Sequence, residues 1–301
     1  MENYKARYLK RFMERAEIDL KNLICAIEGS EKSVRQCYQE TIPLSNDGYD
    51  FVKMILMDAS FIIELFWRNR FTKWTSDDRI VLKPWLAARM QLDLILLENQ
   101  LPFFIIDKLF DLAFPSRQGS PSFVELAFEY FHSYNRQKRS SDPQLKILHF
   151  VDLLRNFYLP PHSRLPKRKF KIVEHMYSAT QLDGVGLKFE ADRSSNCLLD
   201  LDLDYKKGVL KIPYFTLDNA TELYARNLIA LEQCHYPNEA YVTDYFILLN
   251  FLINSENDLH LLSRKGIVVN GLDDNNVTFI NNLGTSIIYS TMSSNYYVIA
   301  A

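Results

Sequence analysis

Residues 92–104 read LDLILLENQLPFF. An apolar run meets three polar residues, Glu98-Asn99-Gln100, then Leu101-Pro102 and a second apolar start at Phe103. Proline has no amide hydrogen for a helix interior and pushes the residue before it out of the helical region. One apolar helix therefore ends near Leu97 and another begins at Phe103. The polar triplet lies where helix-end carbonyls and amides are left without partners, and its side chains are suited to satisfy them. Upstream, Leu86, Met90, Leu94 and Leu97 recur at steps of three and four after Pro84, the period of one helix face. Downstream, Phe103–Phe114 forms an apolar helix that Pro115 stops.

The same period governs the rest of the first half. Tyr4, Tyr8, Phe12, Ala16, Leu20, Leu23 and Ile27 follow one helix face up to Gly29. Asp47 is placed to cap a long helix with the stripe Phe51, Ile55, Ile62 and Leu65. Ser120-Pro121 suits the start of a helix over 123–134, and Leu145, Leu148 and Leu153 mark another. Residues 159–171, LPPHSRLPKRKFK, cannot continue a helix and read as a basic, proline-rich linker. After it, Leu199, Leu201 and Leu203 alternate with Asp200, Asp202 and Asp204, the period of a half-buried strand. Lys206-Lys207-Gly208 predicts a turn and Val209–Pro213 the returning strand. Helices resume over 221–233, with Asp218 or Asn219 as cap, and over 241–253. Ser255 and Asp258 form a capping-box pattern before Leu259–Arg264. The expected fold is mainly α: a multi-helical body with a small antiparallel β-hairpin in the second half, a helix-dominated α+β class. Its parts are a helical region 1–158, the linker 159–171 and a helical region with the β element, 172–301, which can pack as one large domain.

Composition agrees. Of 301 residues, 48% are hydrophobic and nine are glycine, roughly 3% against an average near 7%, so few positions need a left-handed backbone. With 35 Lys+Arg against 37 Asp+Glu, the net charge of -2 argues against a general nucleic-acid binder. The charge is uneven. Residues 136–171 carry ten basic residues against Asp142 and Asp152, while 200–280 carry twelve acidic against six basic. The basic stretch, with Arg164, Lys167, Arg168, Lys169 and Lys171 at its centre, reads as a solvated loop or as a contact for an anionic membrane surface or acidic partner. No run of apolar residues reaches a bilayer span. The start, MENYKARYLKRF, has no signal-peptide core, and the expected location is the cytoplasm or the cytoplasmic side of a membrane. Cys25, Cys37, Cys197 and Cys234 have no metal or redox spacing and read as isolated buried thiols.

Candidate chemistry is sparse. Asp58 sits on an apolar helix stripe, where a carboxylate needs a partner; Arg89 is available and Asp93 lies one turn beyond it. With Glu98, Asn99 and Gln100 these make a candidate buried polar cluster, and Asp58 or Glu98 is the candidate for an enzyme with a buried acidic site. His149 and Asp152 are three apart on one helix without a nucleophile motif. Asp200-x-Asp202-x-Asp204 opens like a calcium loop but has Tyr205 and Lys211 where Gly and Glu are required. Nucleotide-binding, zinc-protease and nucleophile-elbow motifs are absent. No catalytic, cofactor-binding or metal-ligating residue is assigned, no cofactor is expected, and an enzyme is the less favoured reading.

Several runs carry a resemblance across nearly the whole chain. They are Lys5–Leu9 (KARYL), Arg35–Tyr38 (RQCY), Phe51–Met54 (FVKM), Phe61–Phe66 (FIIELF) and Leu94–Phe104 (LILLENQLPFF). Asp152–Arg155 (DLLR), Gly208–Pro213 (GVLKIP), Asn227–Cys234 (NLIALEQC) and Tyr241–Tyr245 (YVTDY) continue the series. Together they resemble the plant domain-of-unknown-function 247 family, also called uncharacterised protein family 0481. The resemblance implies the central body of such a protein, without the N-terminal extension and the C-terminal transmembrane helix that anchors relatives. Ala179-Thr180-Gln181-Leu182 departs from the family's Ala-Thr-Glu-Leu. Some relatives are implicated in self-incompatibility and sex determination, which implies a non-enzymatic recognition or signalling role through an unknown protein partner.

Overall fold

The computed structural model describes residues 2–38, 49–74, 78, 83–116, 119–142, 145–165, 176–218, 220–271 and 280. The chain forms two compact units. The first comprises 1–94, 99–133 and 139–153; the second comprises 95–98, 134–138 and 154–301.

The first unit is built of helices. They are α1 (Glu2–Arg15), α2 (Leu20–Glu28), α3 (Glu31–Arg35), α4 (Tyr49–Phe71), α5 (Pro84–Leu94), α6 (Phe103–Ala113) and α7 (Phe123–Tyr130). The opening residues of α8 (Phe150–Tyr158) also belong to it. Helix α4 is apolar on most of its circumference, the mark of a helix enclosed by others. Phe51, Ile55, Ala59, Ile63 and Phe66 are fully buried. Phe66 stacks on Tyr130 at 4.3 Å between ring centroids and meets Phe123, Phe131 and Phe150 within 5.8 Å. Each such buried ring contributes about 1.5–3 kcal/mol of apolar transfer. Helix α5 starts at Pro84 and α6 runs from Phe103 to Ala113, as the proline pattern predicts.

Three elements differ from their sequence-based expectation. The face from Tyr4 to Ile27 is divided between two helices, because the Glu17 amide turns away to donate to the Ala113 carbonyl at 2.8 Å. The cap of α7 is Ser122, not Ser120: Ser122 and Glu125 complete a capping box, and the helix stops at Tyr130. The helix expected from Leu145 begins at Phe150. Asp47 lies outside the described residues.

In the second unit, α9 (Ala179–Gly184) leads into a three-stranded sheet of order β1-β3-β2, with β1 at Lys188–Asp192, β2 at Asp202–Asp204 and β3 at Val209–Pro213. β2 and β3 form the predicted antiparallel hairpin, Leu203 opposite Leu210. Gly208 closes its turn at φ +60°, a conformation that glycine adopts without a Cβ clash. β1 runs parallel to β3, Phe189 opposite Leu210. A second, two-stranded sheet joins β4 (Phe215–Leu217) in parallel to β5 (Val268–Asn270). Between them lie α10 (Thr221–His235), α11 (Tyr241–Leu252) and α12 (Glu256–Arg264). The observed class is thus the helix-dominated α+β expected, with parallel pairings added to the hairpin.

β2 starts three residues later than the Leu/Asp alternation suggests. Cys197, Leu198 and Leu199 are buried in a turn, and the Leu201 amide bonds back to the Leu199 carbonyl. The residue before α10 is Ala220; Asp218 accepts from its amide and from the Thr221 hydroxyl, while Asn219 lies outside the described residues. Among the described residues no helix is long and apolar enough to cross a membrane.

Candidate functional site

Within the Glu98–Gln100 triplet, Gln100 joins two helix ends. Gln100 is 9% exposed. Its Nε2 donates to the Leu94 carbonyl at the end of α5 (2.8 Å), and its Oε1 accepts from the Phe150 amide at the start of α8 (2.9 Å). A primary amide carries both a donor and an acceptor, so one side chain serves a C-terminal carbonyl and an N-terminal amide together. The Tyr38 hydroxyl donates to the Gln100 carbonyl at 3.0 Å. Asn99 donates to the Asp93 carbonyl at 3.1 Å and is exposed, as is Glu98 in the short turn Leu97–Asn99. In the second unit, the Leu97 amide donates to the Asn227 Oδ1 at 2.6 Å. At the start of α8, the Asp152 carboxylate accepts from the Leu148 amide (2.9 Å), and the Asp152 amide donates to the His149 ring (3.3 Å).

Asp58 does not meet Arg89. Lys5 of α1 donates to it and forms the ion pair, because α1 packs along α4. The Asp58 side chain is 29% exposed, so it is half-buried rather than interior. Arg89 is exposed and pairs with Asp93 on its own helix at 3.5 Å. The expected cluster of Asp58, Arg89, Asp93, Glu98, Asn99 and Gln100 therefore divides into a Lys5–Asp58 bridge, an Arg89–Asp93 bridge and the Gln100 junction, of which only Gln100 is buried.

The charges buried in the first unit are different ones. Glu64, Arg68 and Asp78 are 1–6% exposed. Arg68 donates from Nε to Glu64 and from Nη1 to Asp78, both at 2.5 Å, and Arg15 also pairs with Glu64. Tyr8 donates to Asp78 at 3.3 Å. Burial, with a smaller contribution from Arg68, lowers the Arg15 pKa to about 10, and the Arg15 guanidinium lies 3.7 Å over the Trp67 ring. Burial, reinforced by Asp78, raises the Tyr8 phenol above its ordinary range.

The second unit has a matching centre at Glu232 of α10, which is fully buried. Its Oε1 accepts from Arg155 Nε (3.0 Å) and the Val242 amide (3.2 Å). Its Oε2 accepts from the Thr243 amide (2.7 Å) and hydroxyl (2.8 Å). A carboxylate from α10 thus caps α11, whose own preceding residue, Ala240, has no capping side chain. Arg155 also donates to the Glu239 carbonyl at 2.7 Å and lies over the Tyr236 ring at 3.9 Å. Burial pushes the Glu232 carboxyl above its ordinary value, against Arg155 and the Thr243 bonds. This residue escapes a search for motifs. Its signal is its position one turn after Leu228 on a buried stripe, the same signal that singles out Asp58.

Asp258 closes a third junction. Oδ2 accepts from the Ser255 amide and hydroxyl, completing the expected capping box, and Oδ1 accepts from the Thr180 amide and hydroxyl, all within 2.9 Å. Burial acts upward on its pKa, but the bonds from Ser255, Thr180 and Ser178 outweigh it and hold the carboxyl at about 2.

A polar cavity of about 420 Å³ opens in the second unit, lined by Gln137, Arg164, Asp192, Ser194, Ser195, Asn196, Cys197 and Asp200. Arg164 donates to Asp200 at 3.0 Å, and so does the Ser195 hydroxyl at 2.8 Å. Asp192 Oδ1 accepts from the Ser194 amide and hydroxyl and from the Ser195 amide. The Ser194 bonds, against a small opposing effect of burial, hold Asp192 below the usual carboxylate range. The sequence singles out Arg164, Cys197 and Asp200 separately but not together; the irregular loop after β1 gathers most of the others.

The basic stretch is not a single surface. Arg155 is buried, and Arg136 lies over the Tyr214 ring at 4.3 Å while donating to the Tyr214 carbonyl. Lys167, Arg168, Lys169 and Lys171 lie outside the described residues. Cys197 is buried, but Cys25, Cys37 and Cys234 are exposed, contrary to the expectation of four interior thiols; none of the four forms a disulfide. Among the described residues no three His, Cys, Asp or Glu side chains gather as a metal site.

A family model described as "plant protein of unknown function" matches residues 1–301. A UPF0481 protein of Arabidopsis thaliana is 27% identical over 98% of this chain and 67% of its own length. A putative UPF0481 protein of the same plant is 32% identical over 32% of this chain and 18% of its own length. No solved structure matches.

Proposed function

The chain belongs to the DUF247 family of plant proteins of unknown function, and from that premise we propose that it is a non-enzymatic recognition or signalling protein that works by binding another protein. The observation that carries this reading is how the interior carboxylates are used. Glu64 and Asp78 are held by Arg68, Glu232 by Arg155 and the first amides of α11, and Asp258 by Ser255 and Thr180. A general acid or base must exchange a proton with a substrate within reach; these groups are committed to helix ends and ion pairs. Asp58 is half-buried against Lys5 and Glu98 is exposed, so neither has the desolvated surroundings that an acidic catalytic site requires. The inward-turned Arg136 and Arg155 likewise remove part of the motive for membrane attachment through 136–171.

The surface offers contact area instead. Trp85 is 66% exposed, Tyr205 70% and Val185 82%, and large exposed apolar side chains are the groups that supply binding energy at protein interfaces. The test is recovery of the tagged chain from cross-linked plant tissue, followed by reconstitution from purified components. A partner present in stoichiometric amount that rebinds the purified chain is the expected result. Repeated recovery of the chain alone contradicts the reading.

A further inference from the structure

We propose that the polar cavity of the second unit receives a cationic side chain, a guanidinium or ammonium group, from the partner protein. The inference rests on the protein-binding reading above and names the chemistry of that partner. Around the cavity, some polar atoms are already bonded and others are not. Both amide hydrogens of Gln137 are taken: Nε2 donates to the Phe157 carbonyl at 2.7 Å and to the Leu159 carbonyl at 2.9 Å. The side chain is thereby pinned; Gln137 lines the cavity, and its Oε1 has no hydrogen-bond donor among the described residues. Asp192 is similar. All three of its bonds fall on Oδ1, which leaves Oδ2 open among the described residues. Asn196 is exposed at the rim and adds a further amide.

The charges set the sign of the ligand. Arg164 is matched by Asp200, so that pair is close to neutral. Asp192 remains, ionised, with Lys211 on the neighbouring β3 acting on it weakly. The cavity therefore presents one net negative charge and a surplus of acceptors around it. A planar guanidinium with several N–H donors satisfies that arrangement best, and an ammonium satisfies it in part. An anion meets Asp192 unfavourably, and a neutral polyol gains no charge pairing.

The test titrates the full chain with acetyl-arginine amide, followed by saturation-transfer NMR, with acetyl-citrulline amide as the neutral match and glucose as the polyol. Asp192→Asn keeps the Oδ1 acceptor that holds the loop, so it removes charge with little change of shape. The expected result is binding of the arginine probe that weakens about fivefold in Asp192→Asn and with the citrulline probe. Arg164→Gln frees Asp200 and is expected to tighten binding of the same probe. Equal binding of arginine and citrulline, preference for glucose, no binding at all, or no response to Asp192→Asn overturns the inference. Repeating the partner reconstitution with Asp192→Asn separates the two proposals. A partner that binds wild type and variant equally leaves the protein-binding reading standing and removes the cavity from it. An arginine probe that binds while no partner is recovered does the reverse.

Discussion

In the first unit a neutral amide, Gln100, ties the end of α5 to the start of α8; in the second a buried carboxylate, Glu232, ties α10 and Arg155 to the start of α11. The task is similar and the chemistry differs because the ends to be joined differ. Gln100 must satisfy a carbonyl and an amide, so it needs a donor and an acceptor on one side chain. Glu232 faces amides, a hydroxyl and a guanidinium, all of them donors, so an acceptor with negative charge fits. The amide junction carries no charge and needs no counter-ion. The carboxylate junction holds only while its arginine is present. The two units should therefore respond differently to single-atom changes.

The largest effects are expected at Arg155 and Gln100. Arg155→Met keeps length and apolar stem but leaves Glu232 buried without its cation, a change that costs about 3–5 kcal/mol; urea unfolding of the full chain measures it. At Gln100 the informative pair is Gln100→Glu and Gln100→Leu. Glu loses the donor to the Leu94 carbonyl and adds a buried charge, so it should cost more than Leu, which leaves two helix-end groups unpaired at about 1–3 kcal/mol each. Equal losses would mean that Gln100 fills space rather than joining two ends.

Asp258 gives a pH-dependent version of the comparison. Its folded pKa, about 2, lies below the ordinary aspartate value near 4. A carboxylate with a depressed folded pKa stabilises the fold above its unfolded pKa, and that contribution fades as pH falls from about 4 to about 2. The stability gap between wild type and Asp258→Asn should thus be widest near neutral pH and narrow through that window. A gap constant with pH would show that shape, not charge, carries the junction. The smallest effect is expected at Asp58→Asn. The Lys5–Asp58 pair is about 30% exposed on both sides, and such pairs contribute about 0–1 kcal/mol.

Much of this architecture is legible in the residues, for identifiable reasons. Proline spacing and apolar period locate α5 and α6 because both signals are local. Gly208 and the Val209–Pro213 strand reveal the hairpin for the same reason. β1, with Phe189 as its only buried residue, and the three-residue strands β4 and β5 have too little pattern to show a period, and their parallel partners lie far along the chain. The candidate cluster around Asp58 illustrates a different limit. Its charge on an apolar stripe is visible, but its partner depends on which helix packs against α4, and Lys5 is as plausible from sequence as Arg89. Glu64 and Glu232 sit on equally apolar stripes and, unlike Asp58, are buried.

Five of the runs that carry the family resemblance prove to be partners of one another. Tyr38 of the RQCY run reaches Gln100 of the LENQLP run. Arg155 of DLLR reaches Glu232 of LEQC, which holds Thr243 of YVTDY. These runs act as structural junctions. A double-mutant cycle on Arg155→Met and Glu232→Leu, read by urea unfolding, checks this at the second-unit junction. Each single change strands a buried charge, so the double variant is predicted to lose less than the two losses combined, by about 2 kcal/mol or more. Strictly additive losses, or single variants as stable as the wild type, would contradict it.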